Sequence, residues 1–386
     1  MFIIRFMSGV IKTPDTLEKL SVLSKDAQYD LACACGTNEA DRRRRSNDDK
    51  WLYPVTLPNG GSSVLFRTLI SNVCVNDCRY CPLRNGQDCR RVTLNAEEVV
   101  SAFLNYLKKG KVFGLFLSSG VIGTPDNTMS RLISIAEILR KKEHFHGYIH
   151  LKIIPGASDA AVEQAVSLSS AVSLNIESAG ESHFQRLSQT KDYMKDIIHP
   201  LKFISHLTGK ERRYHRVKQT TQFIVGASDE TDSELVRYMG GLYRKLDLSR
   251  IYFSAYQRGL GESDIPGEKM GGSNHELLMR EHRLYQADWL IRKYGFSADE
   301  IPFETNGNLS LNMDPKEHWA ALHPEQYPVD VNQADRKDLL RVPGLGPTTV
   351  VRILRERASG SRFHSVRDFG PPHARLTKAE RYLKFS

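Results

Sequence analysis

From residue 64 the chain alternates two kinds of apolar pattern. Short β-rich runs occupy 64–70, 113–117, 149–154, 171–176, 220–225 and 251–255. Between them lie stretches whose apolar residues recur every three or four positions. Val99, Phe103 and Leu107 share one stripe, and Leu132, Ile133, Ala136 and Leu139 another. A period near 3.6 predicts helices and a short unbroken apolar run predicts a buried strand. The expected helices span 95–107, 130–140, 160–168, 184–187, 191–207 and 230–246. Strand alternating with helix gives parallel strands joined by right-handed crossovers, an α/β fold of six units. In such folds ligands gather at the carboxyl ends of the strands.

The flanks read differently. A helix is expected from about residue 14 to 30, followed by Cys33-Ala34-Cys35 and a basic segment, Arg42-Arg43-Arg44-Arg45. That segment reads as a solvated linker or as a phosphate-contacting arm. Glycines and prolines mark a loop at 258–272. Leu277, Leu278, Leu284, Trp289 and Leu290 give 275–293 the look of an amphipathic helix. Near the end, Asn332 is placed to cap a helix over 333–340, and Val342-Pro343-Gly344-Leu345-Gly346-Pro347 precedes a helix over 348–357. This divides the chain into 1–50, 51–257, 258–328 and 329–386.

Composition adds two points. Net charge is +9, and residues 330–386 hold 12 Lys and Arg against 6 Asp and Glu. The excess positive charge therefore sits in the tail, which favours a polyanionic partner there. No run approaches the ~20 apolar residues that span a bilayer. The first ten residues lack the apolar length of a secretory signal. A cytoplasmic protein without a membrane partner is expected, whose six cysteines serve metal or redox chemistry more readily than disulfides.

Three of those cysteines carry the chemistry. Cys74, Cys78 and Cys81 lie in Cys-Val-Asn-Asp-Cys-Arg-Tyr-Cys, directly after the first expected strand. Three thiolates on one loop can hold three irons of a cubane cluster and leave a fourth iron open to a small molecule, whereas closed clusters take four cysteines. A zinc site that recruits Cys89 is the other metal reading, although the spacing does not divide into two cysteine pairs.

The C-x3-C-x2-C spacing with Tyr80 before its last cysteine resembles the radical S-adenosylmethionine (radical SAM) superfamily. The resemblance implies a partial (β/α)6 barrel, a [4Fe-4S] cluster on Cys74, Cys78 and Cys81, and SAM bound at the open iron. An external electron donor supplies one electron, SAM is cleaved, and the 5′-deoxyadenosyl radical abstracts a substrate hydrogen. It also implies a SAM pocket lined by Tyr80, by Ser119 and Gly120 after the second strand, by Asn175 and Glu177 after the fourth, and by Gly226 after the fifth. Leu117-Ser118-Ser119-Gly120 departs from the family's Gly-Gly-Glu by lacking the acidic residue.

The tail resembles a helix-hairpin-helix, a small all-α module that binds nucleic-acid backbone through hairpin N–H groups. Gly344, Gly346 and Thr348 occupy the hairpin and the following helix start, with Lys337 and Arg352 adding charge. The order of motifs resembles the DNA modification or repair radical SAM proteins with this C-terminal module. That family implies DNA as partner and association with a uracil-DNA-glycosylase-like protein. An RNA-modifying enzyme and a non-catalytic iron–sulfur scaffold remain alternative readings.

Overall fold

The computed structural model describes residues 14–30, 51–56, 61–371 and 374–386. Cys33, Cys35 and the arginine run at 42–45 lie outside the described residues. The chain forms two compact units. Among described residues the first takes 14–29, 51–77 and 83–173, and the second takes 30, 78–82 and 174–386.

The first unit contains α1 (Thr16–Asp26), β1 (Leu52–Thr56), β2 (Ser62–Leu69), α2 (Ala96–Lys108), β3 (Gly114–Ser118), α3 (Pro125–Glu137), β4 (Tyr148–Lys152), α4 (Asp159–Leu168) and β5 (Ala171–Ser173). β2, β3, β4 and β5 pair in parallel, as alternation predicts. β1 is a difference: it pairs antiparallel with β2, Tyr53 opposite Leu65. Pro54 breaks its apolar run, which hides the strand from a periodicity reading. The helices start where side chains can cap them. Asn95 and Glu98 form a reciprocal capping box on α2, and Thr124 caps α3 just before Pro125. The strands' helix-side residues, Leu115, Leu117, Ile149, Leu151 and Val172, are fully buried.

The second unit holds α5 (Glu181–Gln185), α6 (His199–Thr208), β6 (Lys218–Val225), α7 (Asp232–Leu246), β7 (Arg250–Ala255), α8 (Pro266–Lys269), α9 (Asn274–Tyr294), α10 (Pro315–Leu322), β8 (Val329–Asp330), α11 (Arg336–Arg341), α12 (Pro347–Ala358), α13 (Ala374–Glu380) and β9 (Leu383–Lys384). β6 and β7 pair in parallel over six residues. The strand expected over 171–176 stops at Ser173. Beyond it Leu174 N–H donates to Thr220 and Glu177 N–H to Gln222, irregular backbone in place of a ladder.

α9 forms where expected, but its stripe is not apolar. Glu281 and Asp288 are fully buried on it beside Leu277 and Leu284. Glu281 accepts the Ala255 N–H at 2.7 Å, and Asp288 accepts from Tyr243 at 2.5 Å and from Arg292 Nε at 2.8 Å. These partners offset the desolvation of the two acids. Trp289, one residue off the stripe, is 46% exposed, with the Arg292 guanidinium 5.7 Å from its ring.

The tail has its own core, built from Val331, Leu339, Leu340, Val342, Leu345, Val350, Ile353, Phe363, Phe369 and Leu376. It is not purely helical, since β8 and β9 pair in parallel. Asn332 caps no helix. Its amide joins the Phe363 backbone and the Ser386 carbonyl, and Asp335 caps α11 instead. Among the described residues no helix is long and apolar enough to cross a membrane.

Candidate functional site

The cysteine segment is held differently in the two units. In the first, β2 runs into Ser71-Asn72-Val73-Cys74. Asn72 is fully buried: its side-chain amide donates to Asp26 at 2.7 Å and to the Arg90 carbonyl at 2.8 Å, and its oxygen accepts the Val92 N–H. The Arg91 guanidinium donates to the carbonyls of Asn72, Leu83 and Arg84. One cation thus ties the two sides of the cysteine segment together. The residues after β3 close on the same place. Gly120 N–H donates to the Ser71 carbonyl and Val75 N–H to the Val121 carbonyl. A Cβ on Gly120 would stand 2.4 Å from the Val73 oxygen and 3.2 Å from Cys74 Cβ. Ser119 turns its hydroxyl to the Gly120 carbonyl at 2.6 Å. The small residues after β3 are what let this backbone lie against Cys74.

In the second unit Cys78 and Cys81 stand on one turn, closed by Cys81 N–H to the Cys78 carbonyl at 2.8 Å. Arg79 anchors the turn. Its N–H meets the Leu187 carbonyl, its carbonyl accepts from Glu262, and its guanidinium pairs with Glu262 and Asp264. Tyr80 packs against the small cluster of Leu187, Ala227, Tyr256 and Ile265. Its phenol is pushed well above its usual value by burial first, then by the charges of Glu177, Cys78 and Cys81 and a hydrogen bond to Glu177. It therefore stays protonated as a donor.

Glu177 is the most unusual residue here. It is buried, and its backbone sits at φ +67°, the left-handed region that a side-chain-bearing residue rarely adopts. Hydrogen bonds on both sides hold it, from its N–H to Gln222 and from Ile224 to its carbonyl. The Asn175 amide lies 3.4 Å from its carboxylate. Strain retained at a buried acid is the kind found at functional sites. Gly226 has φ +81°, and its N–H donates to Glu230 at 2.9 Å. Burial raises the Glu230 carboxyl, and its second oxygen has no hydrogen-bond partner. Tyr80, Asn175, Glu177 and Gly226 thus share the second unit with Cys78 and Cys81, while Ser119 and Gly120 share the first with Cys74.

Among the described residues Cys74, Cys78, Cys81 and Cys89 form no disulfide. Among the described residues no three His, Cys, Asp or Glu side chains stand close enough to hold one metal ion. The spacing of Cys74, Cys78 and Cys81 along the chain fits a cluster bound one iron per cysteine, and in the first unit the glycine at 120 keeps a side chain away from Cys74.

In the tail, Gly344 lies at φ +89° and packs against α13, where a Cβ would stand 2.1 Å from the Arg375 carbonyl. Gly346 is the N-cap of α12 and Pro347 its first residue. Thr348 and Lys337 are exposed and Arg352 half-buried. Lys316 on α10 donates to the Leu345 carbonyl before α12 at 2.7 Å and lies 4.6 Å from the Tyr294 ring. Arg341 sits between Phe296 and Trp319, 4.4 and 4.6 Å from the ring centres. Sequence reasoning singled out neither Arg79, Arg91 nor Lys316, because their partners lie on other elements.

No protein-family model and no curated protein matches the chain. Among solved structures it is similar to HydG, a maturase of the [FeFe]-hydrogenase, at 16% identity over 56% of this chain and 48% of that one, TM-score 0.42. It is similar to methylornithine synthase (PylB) at 14% identity over 72% and 75%, TM-score 0.44. A structure of anSMEcpe with bound AdoMet matches at 16% over 60% and 58%, TM-score 0.39. The chain spans about half the length of the HydG structures it matches.

Proposed function

We infer that this chain is a radical SAM enzyme acting on nucleic acid, with DNA the favoured substrate. The observation that carries the reading is the three-cysteine loop leaving β2, with a glycine-dependent backbone against Cys74. Cys74, Cys78 and Cys81 would hold the [4Fe-4S] cluster. When bound, the cluster and SAM supply a one-electron cleavage that yields a 5′-deoxyadenosyl radical, with the electron from an external donor. Tyr80, protonated and hydrogen-bonded to Glu177, offers SAM a ring and a fixed hydroxyl. Glu177 and Asn175 offer it a carboxylate and an amide, and Ser119, Gly120 and Gly226 permit close backbone approach. Gly344, Gly346 and Thr348, with Lys337 and Arg352, would meet phosphates, since N–H groups at a helix start suit anions. The tail's positive excess supports that assignment.

The test is 5′-deoxyadenosine release from anaerobically reconstituted, reduced protein given SAM, with and without single-stranded and duplex DNA. Release that rises with DNA and is lost in Cys78→Ala is expected. No release from protein shown to carry cluster and SAM would sink the enzymatic reading. Release indifferent to DNA would sink the choice of substrate.

A further inference from the structure

The first unit's sheet has two unlike faces. Residues of one parity, Phe66, Leu115, Leu117, Ile149 and Leu151, are fully buried, Phe66 against Phe103 of α2. The other parity carries a row that crosses the strands in register. Arg67 pairs with Phe116, and Phe116 with His150. The contacts along this row are continuous. The Arg67 guanidinium lies 5.2 Å from the Tyr53 ring centre and 4.9 Å from that of Phe116. Phe116 and His150 are 4.4 Å apart, inclined by 57°. His150 Nε2 is 2.9 Å from the Ser173 hydroxyl and Nδ1 is 3.4 Å from that of Tyr148, so the imidazole plane is fixed.

A parallel sheet covered by helices on both sides reads as apolar on both parities. This face is not of that kind. Its ionisable strand residues include Arg67, His150 and Lys152 and no acid; Arg67 is buried, while Phe116, His150 and Lys152 keep partial exposure. The same parity ends at Ser118, two residues before the Gly120 that lies against Cys74. Basic groups interleaved with aromatic rings suit a ligand that is both planar and anionic. A nucleotide has both properties. Bases stack on aromatic side chains whatever their sequence, and a stacked guanidinium suits phosphate.

We propose that this face, centred on Arg67, Phe116 and His150, binds one nucleotide of the nucleic-acid substrate. The proposal rests on the function inferred above and deepens it. The base packs at Phe116 and His150, and the buried Arg67 guanidinium, stacked on Phe116, adds positive charge behind the ring. A base within a duplex cannot reach such a face, so the nucleotide comes from a single strand or is flipped out.

The experiment is photocrosslinking of the reconstituted full-length protein to a single-stranded oligonucleotide carrying one 5-bromouracil, with crosslinked peptides mapped by mass spectrometry. Crosslinks within 114–118 or 148–152 are expected. They should fall about five- to a hundredfold in Phe116→Leu, the range for losing one stacked base, and persist in Phe116→Tyr, which keeps the ring. Circular dichroism of both variants checks the fold, and His150→Gln gives an independent loss should Phe116→Leu unfold. Crosslinks confined to 330–386 would overturn this site and leave nucleic-acid binding standing. No oligonucleotide binding by the full chain would overturn the site together with the reading beneath it.

Discussion

At the scale of single residues, the site depends on groups whose chemistry is visible in the sequence and whose constraint is not. Gly120 is legible as one of two small residues after β3. That it must be glycine follows only from the 2.4 Å approach of its missing Cβ to the Val73 oxygen. Gly120→Ala should push the backbone off Cys74. We expect iron content after reconstitution to drop, with a stability loss of about 1–3 kcal/mol, the range for overpacking. Iron assay and thermal unfolding of the two proteins check this. Glu177 was readable as a polar residue after a strand. Its left-handed backbone is held through Gln222 and Ile224, more than forty positions away.

At the scale of elements, caps and ion pairs decide how firmly the helices sit. Glu98 closes the capping box of α2 and accepts from Lys19 of α1 at 2.8 Å. Burial opposes its ionisation, but the Lys19 ammonium, the Asn95 N–H and the Thr16 hydroxyl prevail and hold its carboxyl below the usual range. A depressed folded-state carboxyl stabilises above the unfolded value and loses that contribution as pH falls through the folded one. Glu98→Gln should therefore melt earlier than wild type at pH 7, with the gap closing as pH falls below the ordinary carboxyl value of 4.5. Thermal scans from pH 7 to 3 read this directly. Lys316 is depressed too, but here burial favours the neutral form. Burial holds its ammonium down to about 7, against the opposing charge of Asp314. Between there and its unfolded value of 10.5 the unfolded chain carries the extra proton, so stability rises with pH. The melting difference between wild type and Lys316→Met should grow in favour of wild type from pH 7 to 9. The amphipathic reading of α9 failed because Glu281 and Asp288 are buried by partners on β7 and α7, which no periodicity encodes.

At the scale of the whole chain, the prediction concerns where charge acts. If the tail meets phosphates, log affinity should fall with log salt at about −0.9 per contact for duplex DNA. Lys337→Glu and Arg352→Glu should weaken binding and make that slope shallower by about one contact each. A slope that both variants leave unchanged would move the contacts off the hairpin. Point variants serve better than deleting the tail, because Lys316 and Arg341 bury part of it against α9 and α10, and truncation would strip those contacts. The alternation of the central strands and helices, the cysteine spacing and the concentration of positive charge in the tail are legible along the chain. Each of these is local: a period, an interval or a count within one stretch of chain. The tertiary structure decided the antiparallel β1, the polar interior stripe of α9, the strain at Glu177, the cradle at Gly120 and the Arg67–Phe116–His150 row. Each of those is set by a partner distant in sequence, and a buried charge or a side chain's absence acquires meaning only from what stands opposite it.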